Sequence, residues 1–183
     1  MGPPRRMETE YPTRQSAIEE TMNETSMCKQ LFFGAVAGLI GTFAIGVAIK
    51  AGQKMVPDAQ PPMRDDPGKF IVQKAKQALP EPVRKKVPPN VETVAAKYLG
   101  FAYGMTFGAL YAALRPQGGA VLRDGLALGT GNWAIGYLGW LPSTGLTPSP
   151  REYNAKQIAV PLAEHAVYGA ATVAAYDWLV EHF

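Results

Sequence analysis

The stretch LFFGAVAGLIGTFAIGVAI, residues 31–49, contains no charged residue and is flanked by Lys29 and Lys50. An α-helix rises 1.5 Å per residue, so this run extends about 28 Å, close to the thickness of a bilayer's hydrocarbon core. A surface helix of a soluble protein would carry polar residues along one face over this length. The run therefore predicts a transmembrane helix.

Three further apolar stretches follow along the chain. Residues 98–114 and 125–141 are uncharged and have lengths at the short end of the range for a span, whereas residues 158–180 form a longer run. A buried helical hairpin in a soluble protein is the alternative, but too little polar sequence remains to cover so much apolar surface. We predict an all-α fold, a bundle of four transmembrane helices whose consecutive members are antiparallel neighbours.

The remaining sequence divides into a polar N-terminal tail and one large loop. Residues 1–30 form the tail, and residues 50–97 form a basic loop inside the membrane domain, residues 31–183. Within the loop, PDAQPPMRDDPG is rich in proline and predicts irregular structure, and PEPVRKKVPPN predicts an extended link. Between them, KFIVQKAKQAL has the spacing of a short basic amphipathic helix, which we expect at the lipid surface.

Basic residues predict how the bundle is oriented. Segment 50–97 and the link before the fourth stretch hold most of the 18 Lys and Arg residues of the chain. Short loops rich in Lys and Arg remain in the cytoplasm. We therefore predict a cytoplasmic large loop and both termini outside. The tail lacks the apolar core of a signal peptide.

Small residues recur at every fourth position in these stretches. Such stripes let helix backbones approach closely in lipid, so they predict the packing faces of the bundle. The stripes comprise Gly34, Gly38, Thr42 and Gly46; Gly100, Gly104, Gly108 and Ala112; and Gly125 with Gly129.

Four polar residues lie within the predicted spans: Asn132 deep in the third, and Glu164, His165 and Tyr168 in the fourth, where Glu164 and His165 are expected only a short distance below the membrane surface. Ionisable groups within a span are expensive and often functional. One interpretation is structural, with Glu164 or His165 hydrogen-bonding Asn132, Tyr103 or Tyr168 to hold the helices in register. The other is a protonatable site in a water-accessible cavity. Both remain open at this point.

The start of the fourth helix has its own signal. Ser149, Pro150 and Glu152 match a capping box with proline at the first helical position. This pattern predicts a helix that begins near residue 150, and Pro161 inside it predicts a kink.

The segments GAVAGLIGTFAI, GFAYGMTFGALYAAL and GLTPSPREY…LAEHAVYGAAT resemble the YagU-like family of bacterial inner-membrane proteins. The resemblance implies a multi-span inner-membrane protein, and it implies no reaction or substrate. The residues that match the more distinctive part of the pattern are Gly145, Leu146, Thr147, Pro148, His165, Tyr168 and Gly169.

Several motifs that would indicate an enzyme or a metal-binding protein are missing from the sequence. It has no nucleophile elbow or phosphate-binding loop, and Cys28 with two histidines offers no metal-binding pattern, so we predict neither enzyme nor cofactor. Nucleic acid is not expected as a partner, because the basic loop lacks an aromatic platform. We expect an accessory or scaffold protein that contacts lipids and packs into a larger membrane complex or a homo-oligomer. The alternative is a small transporter or proton-linked channel that uses Glu164, His165 and Asn132.

Overall fold

The computed structural model describes residues 14–115 and 120–183, and of residues 14–25 the backbone alone. These ranges contain helices and turns without a strand, so the predicted all-α class is confirmed. The helices are α1 (Arg14–Met55), α2 (Pro67–Gln77), α3 (Glu81–Arg84), α4 (Pro89–Leu114), α5 (Val121–Trp133), α6 (Leu141–Ser143) and α7 (Ala155–His182). A π-helix, Ala134–Trp140, joins α5 to α6, and 3-10 turns occupy Pro57–Ala59 and Pro150–Glu152.

Two helical segments in the described ranges are long and apolar enough to cross a membrane, Ser26–Met55 and Ala155–His182. They contain the first and the fourth predicted spans. The second predicted span lies within α4, and the third runs through α5, the π-helix and the start of α6.

The four long helical elements are arranged as an open row in the order α4, α1, α7 and α5. Helix α1 packs against α4 on one side and α7 on the other, and α7 also packs against α5. Helices α4 and α5 follow each other in the chain but barely touch, so the prediction that they are packed neighbours is wrong. The reason is that small residues bring α4 to α1 and α5 to α7, while α4 turns large side chains such as Phe107 and Leu110 toward α5.

The glycine stripes of α1 and α4 touch along half of their length. A Cβ added to Gly38 would collide with the carbonyl oxygen of Gly104, and one added to Gly34 would lie 2.5 Å from the Gly108 oxygen. At Gly46 and Gly100 an added Cβ meets nothing within 4 Å. The backbones are therefore in contact toward the chain termini, and the stripes separate toward the large loop.

A second glycine contact joins α5 to α7. A Cβ added to Gly125 would lie 2.7 Å from the Ala170 Cα, and one added to Gly129 would collide with the His165 carbonyl oxygen. Gly169 faces the same two glycines from α7. Backbone contact this close requires small residues in the interface.

The two ends of the row differ in composition. At the terminal end, the Lys29 ammonium donates to the Phe183 carbonyl oxygen at 2.5 Å, and Arg115 pairs with Asp177 at 2.8 Å. At the loop end, a cluster of buried residues joins the end of α5, the π-helix and α6 to the link before α7. That cluster comprises Trp133, Tyr137, Leu141, Leu146 and Tyr153.

The large loop contains more helix than predicted. Helix α2 lies along α4, where Gly68 approaches Ala96 and Lys76 pairs with Glu92 at 2.7 Å. The link predicted to be extended forms the single turn α3, and α4 begins at Pro89, nine residues before the predicted span. Proline suits the first helical position, and an acidic residue such as Glu92 stabilises the first turn.

The polar tail is helical over its second half, because α1 begins at Arg14 and runs without a break into the first span. Residues 1–13 of the tail lie outside the described residues. At 1.5 Å per residue, α1 is about 63 Å long and exceeds the thickness of a bilayer.

Helix α7 begins later than its predicted capping box. Ser149 makes no side-chain cap, and Pro150–Glu152 forms only a 3-10 turn. The helix is capped by Asn154, whose side chain and backbone exchange hydrogen bonds with Gln157 at 3.0 Å each. Tyr153 explains the break, because its backbone is extended while its buried hydroxyl donates to the Thr147 hydroxyl at 2.9 Å. From Ala155 the helix continues through Pro161 to His182.

Candidate functional site

Glu164 is the most deeply buried carboxyl group in the described part of the chain, with 5% of the residue exposed. The amide nitrogen of Gln60 donates to its two oxygens, at 2.9 and 2.8 Å. Helix α1 passes beside it at Gly52, where an added Cβ would lie 2.5 Å from the Glu164 Oε1. Glycine at this position leaves room for the carboxyl group between the two helices.

Gln60 is a site residue that no sequence pattern indicates. It lies in the proline-rich segment after α1, and its own carbonyl oxygen Oε1 accepts from the Tyr137 hydroxyl at 3.4 Å. Buried Ala59 and Pro61 flank it, and the nearby Arg64 N–H donates to the Leu146 carbonyl at 2.9 Å. The proline spacing predicts a loop, but nothing local indicates that this loop folds back onto α7.

His165 lies next to Glu164 but belongs to different contacts. Its Nδ1 is 2.8 Å from the carbonyl oxygen of Pro161, one turn earlier in the same helix. The imidazole also meets the ring of Tyr137 edge to face, with 5.7 Å between centroids. Since a carbonyl oxygen only accepts, Nδ1 carries the hydrogen, and Nε2 of the neutral ring is an acceptor.

Tyr168 connects α7 to α4 across the row. It is 1% exposed, and its hydroxyl donates to the Gly104 carbonyl oxygen at 2.7 Å. The predicted hydrogen bonds from Glu164 or His165 to Asn132, Tyr103 or Tyr168 do not form. Glu164 bonds to Gln60 of the segment after α1, His165 bonds to the Pro161 carbonyl within α7, and Tyr168 bonds to the Gly104 carbonyl of α4.

Asn132 is buried in α5 with 5% of the residue exposed, and its Oδ1 has no hydrogen-bond partner among the described residues. It lies where α5 faces α4 across the open side of the row. Two cavities border it, one toward each end of the molecule.

We call the first the terminal-end cleft, of about 690 Å³, and it is formed by the C-terminal half of α4 and by α5. We call the second the loop-end cavity, of about 250 Å³, and it is formed by α1, α2, α4, the end of α5, the π-helix and α7. Of the polar side chains named above, Asn132, Tyr137 and His165 line the loop-end cavity, and Asn132 also lines the terminal-end cleft.

The residues that carry the family resemblance have structural roles at the loop end. Gly145 has φ +72°, a left-handed conformation that glycine adopts at low cost. Leu146 is buried beside it, and Thr147 accepts the hydrogen bond from Tyr153. Together they hold the link between the π-helix and α7 against the segment after α1. Gly169 lies in the α5–α7 contact.

Within the described ranges, no three His, Cys, Asp or Glu side chains come together in a way that would hold a metal ion. No protein-family model, curated protein or solved structure matches this chain.

Proposed function

We propose that this protein is an integral membrane accessory subunit, a bundle of four transmembrane helices that packs against a helix of another subunit. The membrane location is supported by the distribution of apolar and polar side chains between the surface and the interior. Large apolar residues are exposed on each of the four long helical elements, and polar residues of two of them, α5 and α7, are buried. Examples are Phe43, Leu114, Ile135 and Val167 outside, and Asp124, Asn132, Glu164 and Thr172 inside.

This distribution is the reverse of that expected for a soluble protein, and it suits a lipid environment. A charged or polar residue within a membrane faces the interior of the bundle, and an apolar residue is stable in contact with lipid. The basic loop end then lies in the cytoplasm, with both termini outside, by the excess of Lys and Arg on that side. The resemblance to the YagU-like family supports a bacterial inner membrane as the location.

The accessory role follows from what the polar residues contact. Glu164, His165 and Tyr168 each have a partner within the chain. The partners of Glu164 and Tyr168 connect α7 to the loop segment and to α4, and His165 bonds within α7. Interhelical hydrogen bonds of this kind contribute about 0.5–2 kcal/mol each in bilayers and set the register of helices. Such an arrangement supports an architectural role more than a catalytic one.

The terminal-end cleft is the surface that we assign to the partner helix. On α5 it presents Ala127 and Gly131, four residues apart, and a Cβ added to Gly131 meets nothing within 4 Å. Asp124 lines the same cleft, is 8% exposed, and has one carboxyl oxygen without a partner among the described residues. Small residues allow close backbone approach by an incoming helix.

A photo-crosslinking amino acid at position 127 tests the assignment, with the exposed position 174 of α7 as the control. We expect position 127 to form a crosslink of one defined mass in the membrane and position 174 to form none. A product of twice the chain mass identifies the partner as a second copy. A partner that co-purifies in mild detergent should be lost in Gly131→Leu and retained in Ala174→Leu. A monomeric chain with no crosslink from position 127 would refute the proposal.

Glu164 favours a second candidate function, the movement of protons through a small transporter or channel. Its hydrogen-bond donor is a neutral amide, and an ionisable group so situated within a membrane is a functional candidate. Proteoliposomes that enclose a pH-sensitive dye test this directly. Proton flux that is abolished by Glu164→Gln and unaffected by the exposed control Glu152→Gln would favour transport over the accessory role.

A further inference from the structure

The large loop contains a helical segment, residues 67–86, that comprises α2 and α3 and that we call the arm. The arm lies against the start of α4, where Gly68 approaches Ala96. The uncharged run of α4 begins just after this contact, at Tyr98. The arm is therefore placed at the level where α4 passes from the loop into its apolar span.

One side of α2 is apolar and exposed. Ile71, Ala75 and Ala78 are spaced by four and three residues, so they share one side of the helix, and all three are exposed. Leu79, which follows them, is exposed as well. Ile71 also lines the loop-end cavity together with Leu99 of α4, so this side is turned toward the apolar spans. Exposed apolar residues at the end of a span suit contact with the acyl chains of lipid.

The arm is also strongly basic, with six Lys or Arg residues and one acidic residue. Two of these cations are used within the chain, because Lys76 pairs with Glu92 and Lys85 pairs with Glu81, each at 2.7 Å. The other four are exposed and have no ion-pair partner in the part of the chain that the structure describes; they are Lys69, Lys74, Arg84 and Lys86.

The acidic residues just before the arm are engaged with the backbone. Asp65 accepts a hydrogen bond from the N–H of Asp66, and Asp66 accepts one from the N–H of Lys69 as the cap of α2, each at 2.8 Å. Neither carboxylate forms an ion pair with another described residue. An anion from outside the chain can therefore supply the counter-charge that the four cations lack.

We propose that the arm binds the phosphate groups of anionic phospholipids at the membrane surface on the side of the large loop, with its apolar side among their acyl chains. A cluster of about four to eight Lys and Arg residues beside a membrane-spanning helix attracts anionic headgroups, and an amphipathic helix lies in the interface with its apolar side in lipid. A soluble polyanion would match the charges but would leave the apolar side in water. The inference rests on the proposed membrane location.

The experiment places a nitroxide at the end of α2 and measures which phosphates lie near it. The full chain carries Cys28→Ser and Gln77→Cys and is labelled at position 77, which is exposed. It is reconstituted in nanodiscs of equal parts phosphatidylglycerol and phosphatidylcholine, and phosphorus NMR measures the relaxation of each lipid. We expect the nitroxide to relax the phosphatidylglycerol phosphorus about fivefold more strongly, the preference that one basic residue confers near an anionic surface.

Two variants, each with four substitutions to Gln, separate the arm from the general charge of the loop end. The arm variant replaces Lys69, Lys74, Arg84 and Lys86, and the ratio of the two relaxation effects should fall close to one. The matched control replaces four exposed basic residues of the same end outside the arm, Lys50, Lys54, Arg151 and Lys156, and should retain most of the preference. Salt at about 1 M shortens the screening length to about 3 Å and should also reduce the preference in the wild type.

Equal relaxation of the two phosphates in the wild type would overturn the proposal, and so would an equal loss of preference in the arm variant and the control. A separate label, on Val47→Cys at an exposed position of the first span, tests the membrane location. Oxygen should relax this nitroxide more than a water-soluble nickel chelate does. If position 47 met the chelate more than oxygen, the proposed function would fail. If position 47 lay in lipid and position 77 showed no preference, the arm proposal alone would fail.

Discussion

Substitution of alanine for Gly108 perturbs the closest backbone contact between α1 and α4. The added Cβ would lie 2.7 Å from both the Cα and the amide nitrogen of Gly38 and would collide with the carbonyl oxygen of Gly34. All three atoms belong to the backbone, so no side chain can rotate away. Carbon atoms in contact are about 3.5–4.0 Å apart, and the two helices must separate by roughly 1 Å.

The magnitude follows from two opposing effects. Overpacking a well-packed contact costs about 1–3 kcal/mol, and alanine is favoured over glycine in a helix by about 0.5–1 kcal/mol. The net loss of unfolding free energy for Gly108→Ala is then about 1–2 kcal/mol. For a chain of this size, each kcal/mol lowers Tm by about 2–4 °C, so Tm should fall by about 2–8 °C.

Gly100→Ala is the matched control, in the same helix two turns away. Its Cβ meets nothing within 4 Å, so only the helix preference of alanine applies, and Tm should stay constant or rise slightly. Gly38→Ala and Gly46→Ala repeat the comparison on α1. Thermal unfolding in one detergent, followed by tryptophan fluorescence, measures all four. Equal Tm values for Gly108→Ala and Gly100→Ala would refute the backbone contact between α1 and α4.

Three further substitutions test the hydrogen bonds and the turn that hold the loop end and α7, all by thermal unfolding in the same detergent. Gln60→Ala leaves the buried Glu164 without its amide donor and should lower the free energy of unfolding by about 1–3 kcal/mol. Tyr168→Phe removes the hydrogen bond to Gly104 and should lower it by about 0.5–2 kcal/mol. Gly145→Ala places a side chain at φ +72° and should lower it by about 1–2 kcal/mol, with faster amide exchange in the link before α7.

Controls for these variants come from exposed positions of the same residue type. Gln53→Ala and Tyr98→Phe remove side chains that are exposed on α1 and α4, and both should leave Tm within the experimental error. If Gln60→Ala were no more harmful than Gln53→Ala, the Gln60–Glu164 contact would not contribute to stability. A Gly145→Ala variant as stable as the wild type would rule out the left-handed turn.

Much of the fold is predictable because its signals are local. Long uncharged runs predict helices, and the spacing of four between Gly34 and Gly38 or between Gly104 and Gly108 predicts which faces can approach closely. The structure places these four glycines in direct contact. The start of α7 was predicted less well, because Ser149 and Asn154 both offer caps and the choice depends on Tyr153 reaching Thr147.

The candidate site was predictable only in part. Glu164, His165, Tyr168 and Asn132 stand out because polar residues are conspicuous in apolar runs. Their hydrogen-bond partners do not stand out in the sequence. A backbone carbonyl such as that of Gly104 has no signature, and Gln60 lies in an ordinary proline-rich loop.

The sequence by itself therefore determined the all-helical class, the apolar stretches and the residues that are polar at depth. These features depend on composition and on the helical period of three to four residues, and both can be read within a single short segment. The tertiary structure alone decided that α4 pairs with α1 and not with α5, and that Gln60 reaches Glu164 across 104 positions of the chain. Such pairings depend on how well whole helix surfaces fit together, and no single segment contains that information.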